Sequence, residues 1–205
     1  MSDHKRPAPA EVPIHDLIIH RWSPRAFEGR PVEPEKLRAL FEAARWSASS
    51  YNAQPWSFII GTKDDPENYK KVLDSFGEFN QAWAKSAPVV ALSVAAHKMP
   101  HDGSKNRHAF HDVGQAAATL ALQATALGLQ VHQMAGILPD KARQIFGIPD
   151  DHEAVAGFAI GYPGDPSSLS DQLRQRELSP RQRKPASSFV FTGTWGNVAP
   201  VVAKS

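Results

Sequence analysis

The apolar run from Pro88 to Ala96 constrains this chain more than any other segment. It has the length of one strand and little polar alternation, so both of its faces must be covered, which places it at the centre of a sheet with helices above and below. Neighbouring segments supply the helices. Val32-Glu33-Pro34-Glu35 sets a proline in a first helical turn, and Leu37, Leu40, Phe41 and Ala44 then recur at helical spacing until about Trp46. Further helices are expected over Pro13 to Ile19, Pro66 to Phe76 and Asn80 to Ser86, and from Pro139 onward. Arg107 to Leu127 is helix-length with small residues at Gly114, Ala116, Ala117, Ala118 and Ala121, which let another helix approach closely; Gly128 follows as a left-handed cap. Strands are expected at Trp56–Gly61, Gln130–Met134 and Ala154–Tyr162.

These elements describe an α+β sandwich, a mixed and mainly antiparallel sheet flanked by helices, in one domain from residue 13 to 205. Residues 1–12 are polar and proline-rich and read as a disordered arm. The tail from Ser167 to Ser205 carries Phe189, Val190, Phe191 and Trp195 with little periodicity. A tail of that kind needs a second chain to bury it, so with the small-residue helix it anticipates a homodimer with exchanged C-terminal arms.

Composition removes several classes of function. The 23 Lys and Arg nearly balance the 21 Asp and Glu, without the basic footprint of a nucleic-acid binder. No apolar stretch is long enough for a membrane span, and the N-terminus lacks a signal-peptide apolar stretch, so a cytosolic protein is expected. With 0 cysteines, thiolate metal sites, iron–sulfur clusters and cysteine nucleophiles are excluded, and redox chemistry would need a borrowed cofactor. His97, His101, His108 and His111 crowd together but lack zinc-protease spacing, so no metal site is assigned and His97 to Phe110 reads as a polar surface loop.

Arg21-Trp22-Ser23-Pro24-Arg25 follows the first helix where the chain turns. Two guanidiniums at i and i+4 with a hydroxyl between them offer forked donors suited to a phosphate or to a carbonyl edge, although the same pattern also occurs in solvated turns. Arg181 and Arg183 form a second basic pair. The loop Ser47 to Trp56 gathers hydroxyls, the amides of Asn52 and Gln54 and an aromatic, a set that can face a flat heteroaromatic or simply cap its own turns.

Taken in order, Arg21 to Arg25, Ser49-Ser50-Tyr51-Asn52-Ala53-Gln54-Pro55-Trp56, His111-Asp112-Val113-Gly114 with Leu127-Gly128-Leu129, and Gly161-Tyr162-Pro163 make the chain resemble the nitroreductase family from about Pro13 to Phe191. Ala48 departs from the proline that many relatives carry there. The resemblance implies an obligate homodimer that binds FMN at two interface sites and carries a hydride from NADH or NADPH, through the flavin, to a nitroaromatic, quinone or similar small acceptor by a ping-pong route. Arg21, Ser23, Arg181 and Arg183 would hold the phosphate and ribityl chain, with Trp22 in the same segment and Arg25 beside the pyrimidine edge of the ring. Ser49, Ser50, Asn52 and Gln54 would come from the other chain, Asn80 would meet the far edge, and Ala135 and Gly136 would bring backbone N–H groups to the ring. No side chain would act as a nucleophile. Dehalogenation, flavin fragmentation and flavin binding without turnover stay open as alternatives.

Overall fold

The computed structural model describes residues 6–203. Its elements are α1 (Asp16–His20), α2 (Pro34–Arg45), β1 (Trp56–Thr62), α3 (Pro66–Asp74), α4 (Glu78–Ala84), β2 (Val89–Ala96), α5 (Ala109–Ala126), β3 (Gln130–Met134), α6 (Pro139–Phe146), β4 (His152–Gly161) and α7 (Asp171–Leu178). The strands lie in the order β1-β2-β4-β3, and every pairing is antiparallel. The mixed sheet expected from the sequence is therefore corrected to an antiparallel one. A run buried on both faces demands cover on both faces, and helices provide that here without parallel pairing.

β2 explains its own composition. Val90, Leu92 and Val94 enter one core with Val72, Phe76 and Trp83 beneath α3 and α4, while Val89 and Ala91 enter the other with Leu40, Leu120 and Phe158 beneath α2 and α5. Alternate residues thus feed opposite layers, and apart from buried Ser93 the strand is apolar. In α5, Ala116, Ala117, Ala121 and Ala124 are buried in the second core, where short side chains let α2 and the sheet close on the helix. Those alanines serve the fold of this chain, which corrects their assignment to an interface between chains; Gly114 and Ala118 stay exposed. Gly128 ends α5 with φ of 76°, as a left-handed cap requires.

Both ends of the chain differ from expectation. α1 begins at Asp16, not Pro13, because His15 caps it through an imidazole Nδ1 that accepts from Leu17 N at 3.2 Å. The first five residues of the arm lie outside the described residues. Residues 6–12 lie back on the chain, with Ala8 N donating to Ile19 O at 2.9 Å and the Arg6 guanidinium 5.6 Å from the Trp22 ring centroid. The tail contains α7, which the sequence hid: of its eight residues Asp-Gln-Leu-Arg-Gln-Arg-Glu-Leu, only Leu173 and Glu177 are buried. A carboxylate sits where an amphipathic pattern expects an aliphatic side chain.

Candidate functional site

Residues 21–26 run extended after α1 and alternate between half-buried and buried: Arg21, Ser23 and Arg25 lie at the surface, and Trp22, Pro24 and Ala26 point inward. Distant side chains set this alternation. Gln130 at the start of β3 accepts from Trp22 N at 3.0 Å and donates to His20 O at 3.1 Å. Two residues along the same strand face, the His132 Nδ1 lies 2.8 Å from Pro24 O. From α7, the Glu177 carboxylate accepts from Arg25 N at 3.0 and 3.1 Å and from Ala26 N at 3.4 Å. Trp22, placed by sequence among the cofactor contacts, is 6% exposed and belongs to the core. Its neighbours Arg21 and Ser23 take the surface positions, and Trp22 takes the inward one.

Arg21, Arg181 and Arg183 converge, as the sequence predicts. They line a cavity of about 720 Å³ with Ile18, Lys184 and Phe189. Among the described residues no ion pair neutralises any of the three. Burial and then the charge of Arg183 hold the Arg21 guanidinium below its ordinary value; burial and then Arg21, Arg183 and Arg6 do the same to Arg181. Their commitments differ. The Arg181 fork donates to Ile19 O at 3.1 Å and Arg21 O at 3.0 Å, so it holds the main chain beneath Arg21. Arg21 reaches Ser23 Oγ at 3.3 Å, and Arg183 extends into solvent bound to Gln182 O.

Arg25 leads from this cavity to a second group. Its guanidinium lies 6.0 Å from the Trp83 ring centroid, and the Trp83 and His132 rings are 4.4 Å apart. Burial, then the charges of Arg25 and Arg21, hold the His132 imidazole down to about 4 against a bond to Pro24 that favours its charged form. One turn before Trp83, Asn80 donates through Nδ2 to Gly136 O at 2.9 Å. A Cβ on Gly136 would meet that nitrogen at 2.4 Å, so a larger residue there would displace the Asn80 amide. Ala135 and Gly136 are exposed at the end of β3.

Ser49, Ser50, Asn52 and Gln54 gather elsewhere, at the start of α5. No hydrogen bond or ion pair among the described residues joins them to the arginines. Ser50 N donates to Asp112 Oδ2 at 3.0 Å and Gln54 N to Ser49 Oγ at 3.1 Å. Tyr51, Asn52 and Gln54 all have left-handed φ, at 51°, 54° and 46°. Three non-glycine residues in that region store strain of about 1 to 3 kcal/mol each, retained only where the surroundings impose it. Buried Asp112 ties the head of this loop to α5 through Ser50 N, and the sequence assigned that carboxylate no role. Replacing Asp112 with alanine is expected to cost about 1 to 2 kcal/mol through the lost Ser50 bond. Urea denaturation measures it, and an unchanged midpoint would transfer the control of the loop to the bonds within it.

A model described as "Nitroreductase family" matches residues 18–76 and 61–162, which contain the first arginines, the strained loop and the Asn80–Gly136 pair. The chain belongs to the nitroreductase family. A solved structure described as an oxidoreductase containing FMN superposes with a TM-score of 0.87 at 36% identity, over 93% of this chain and 96% of that one. A nitroreductase family protein from Clostridium difficile superposes at 0.68 with 26% identity, over 89% and 99% of the two chains. In sequence, this family member is 27% identical to the FMN reductase [NAD(P)H] of Bacillus subtilis over 183 residues, spanning 81% of this chain and 72% of that protein. It is 28% identical to the NADH dehydrogenase of Thermus thermophilus over 198 residues, 80% and 95% of the two. Among the described residues, no helix is long and apolar enough to cross a membrane and no group of three His, Cys, Asp or Glu stands ready for a metal.

Proposed function

We propose that this nitroreductase-family chain is an FMN-dependent NAD(P)H oxidoreductase, working as a homodimer on a small electron-poor acceptor such as a nitroaromatic or quinone by alternating reduction and reoxidation. The cluster of Arg21, Arg181 and Arg183 carries the reading: the three guanidiniums line one cavity with no ion-pair partner among the described residues, burial and then neighbouring positive charge hold Arg21 and Arg181 below their ordinary value, and a dianionic phosphate relieves that repulsion. The names of the Bacillus subtilis FMN reductase and of the solved FMN-containing oxidoreductase agree on the nucleotide.

The residues fit FMN end to end. Arg21, Ser23 and Arg183 meet the phosphate and ribityl chain, and Arg181 keeps the Arg21 main chain in place. Arg25, whose buried Nε lacks a hydrogen-bond partner, meets the pyrimidine edge, and Asn80 with the N–H groups of Ala135 and Gly136 meets the opposite side. Ser49, Ser50, Asn52 and Gln54 serve the site of the other protomer. The apolar tail, with Phe189 63% and Trp195 93% exposed, supplies surface for that second chain. When bound, FMN supplies the two-electron chemistry that a chain without cysteine lacks. The protein orients, excludes water and balances charge, and no side chain attacks the substrate.

One titration tests the whole. The purified protein is expected to be yellow, to bleach with NADH or NADPH in the absence of oxygen, and to recover colour when a quinone or nitroarene is added. A yellow protein that neither donor bleaches would leave a flavin-binding module without turnover.

A further inference from the structure

Glu177 is the acidic side chain that, among the described residues, lies under the arginine segment, and the sequence offered no role for it. Its side chain is 0% exposed. A carboxylate in that position loses its hydration and persists only with hydrogen bonds and a counter-charge. It has both. Two backbone N–H groups donate to it, from Arg25 and Ala26, and the Arg25 guanidinium stands 3.8 Å away. Burial pushes its carboxyl above the ordinary range, while those N–H groups, Arg25 and Arg6 pull it down. Arg176, next to it on α7, adds a second positive charge that opposes Arg25. Capping two N–H groups would need only an amide. A buried charge directed at the guanidinium on the ring side does something more.

We infer that Glu177 is a positioning residue of the cofactor site: its carboxylate fixes the backbone and guanidinium of Arg25 and partly neutralises that cation, and thereby sets the midpoint potential of bound FMN. This rests on the reading of the site as one for FMN. Because α7 also leads directly to Arg181 and Arg183, a single segment carries the phosphate cations and the charge that restrains Arg25.

Potentiometric titration of FMN-loaded protein separates the possibilities in wild type, Glu177→Gln, Arg25→Gln and the double variant. Glutamine keeps an acceptor for the N–H groups and removes the charge. Glu177→Gln is expected to hold oxidised FMN within about threefold of wild type and to raise the preference for reduced over oxidised FMN about tenfold, or about 30 mV for a two-electron couple. Arg25→Gln, which removes the cation that Glu177 acts through, is expected to shift the preference about tenfold the other way, and the double variant to match Arg25→Gln. A potential for Glu177→Gln equal to wild type overturns the inference. So does a double variant whose preference lies about tenfold from that of Arg25→Gln, which would show that the carboxylate acts without Arg25; that comparison stands even if Glu177→Gln alone does not fold. Wild type that takes up no FMN brings down the reading of the site itself.

Discussion

Replacing Arg21 with alanine is expected to weaken FMN binding on the order of tenfold to a hundredfold, the equivalent of one lost charge-assisted contact of about 1.5 to 3 kcal/mol. Arg21 is half-buried and bears its charge beside two other guanidiniums, with only the Ser23 hydroxyl as a hydrogen-bond partner among the described residues. Desolvation has already been incurred in the folded chain, so a phosphate meets donors that need little reorganisation. Arg181→Ala should resemble Arg21→Ala for another reason, because the Arg181 fork holds the Ile19 and Arg21 carbonyls and its loss releases the segment that presents Arg21. Arg183, exposed and bound among the described residues to its neighbour's carbonyl, should cost less. Equilibrium dialysis of the three variants gives the order. An unchanged dissociation constant for Arg21→Ala would remove the phosphate from this cavity.

Below neutrality, His132 is expected to draw stability down. Its imidazole is held to about 4 in the folded chain against an ordinary value of 6.5. The sign follows from proton uptake: below 6.5 the unfolded chain binds a proton that the folded chain refuses until about 4, so acid favours unfolding across that window, by up to about 3 kcal/mol. Glu177 works the other way. Its raised value lets the folded chain take up a proton first, which adds stability that is present at low pH and lost as pH rises through that value. The two groups therefore offset one another in wild type, and His132→Gln isolates the histidine. Urea titrations at pH 7.5, 6.0 and 4.5, with protein and FMN concentrations fixed, should show a variant that loses less stability on acidification than wild type. Parallel losses would assign the acid sensitivity to other groups.

Much of this arrangement was legible from residues alone, and the limits have physical causes. β3 runs from Gln130 to Met134 as read, because Gly128 and an apolar stretch bound it on local grounds. The alternation of Arg21, Ser23 and Arg25 was also visible as a pattern. Its support was not. Gln130, His132 and Glu177 lie more than 100 residues away in sequence, and each is a polar side chain inside the protein, where pattern reading expects apolar ones. α7 was missed for the same reason, since Glu177 fills a core position of that helix. The small residues of α5 were seen correctly as permitting close approach. Periodicity could not say which surface approaches, and α2 with the sheet of the same chain takes most of them. Asp112 stood within a quoted motif, but its carboxylate acts on the backbone of a loop far upstream, and no local rule connects the two.

The way residues 20–26 are clipped in place has a consequence for transplantation. A peptide spanning the segment would carry Arg21, Ser23 and Arg25 and none of their geometry, because the bonds that fix His20, Trp22, Pro24, Arg25 and Ala26 come from β3 and α7. Grafting those letters onto another scaffold would yield a basic turn and nothing more. To move the site as a working part, Gln130, His132 and Glu177 must travel with the arginines, which makes the smallest portable unit a substantial share of the domain.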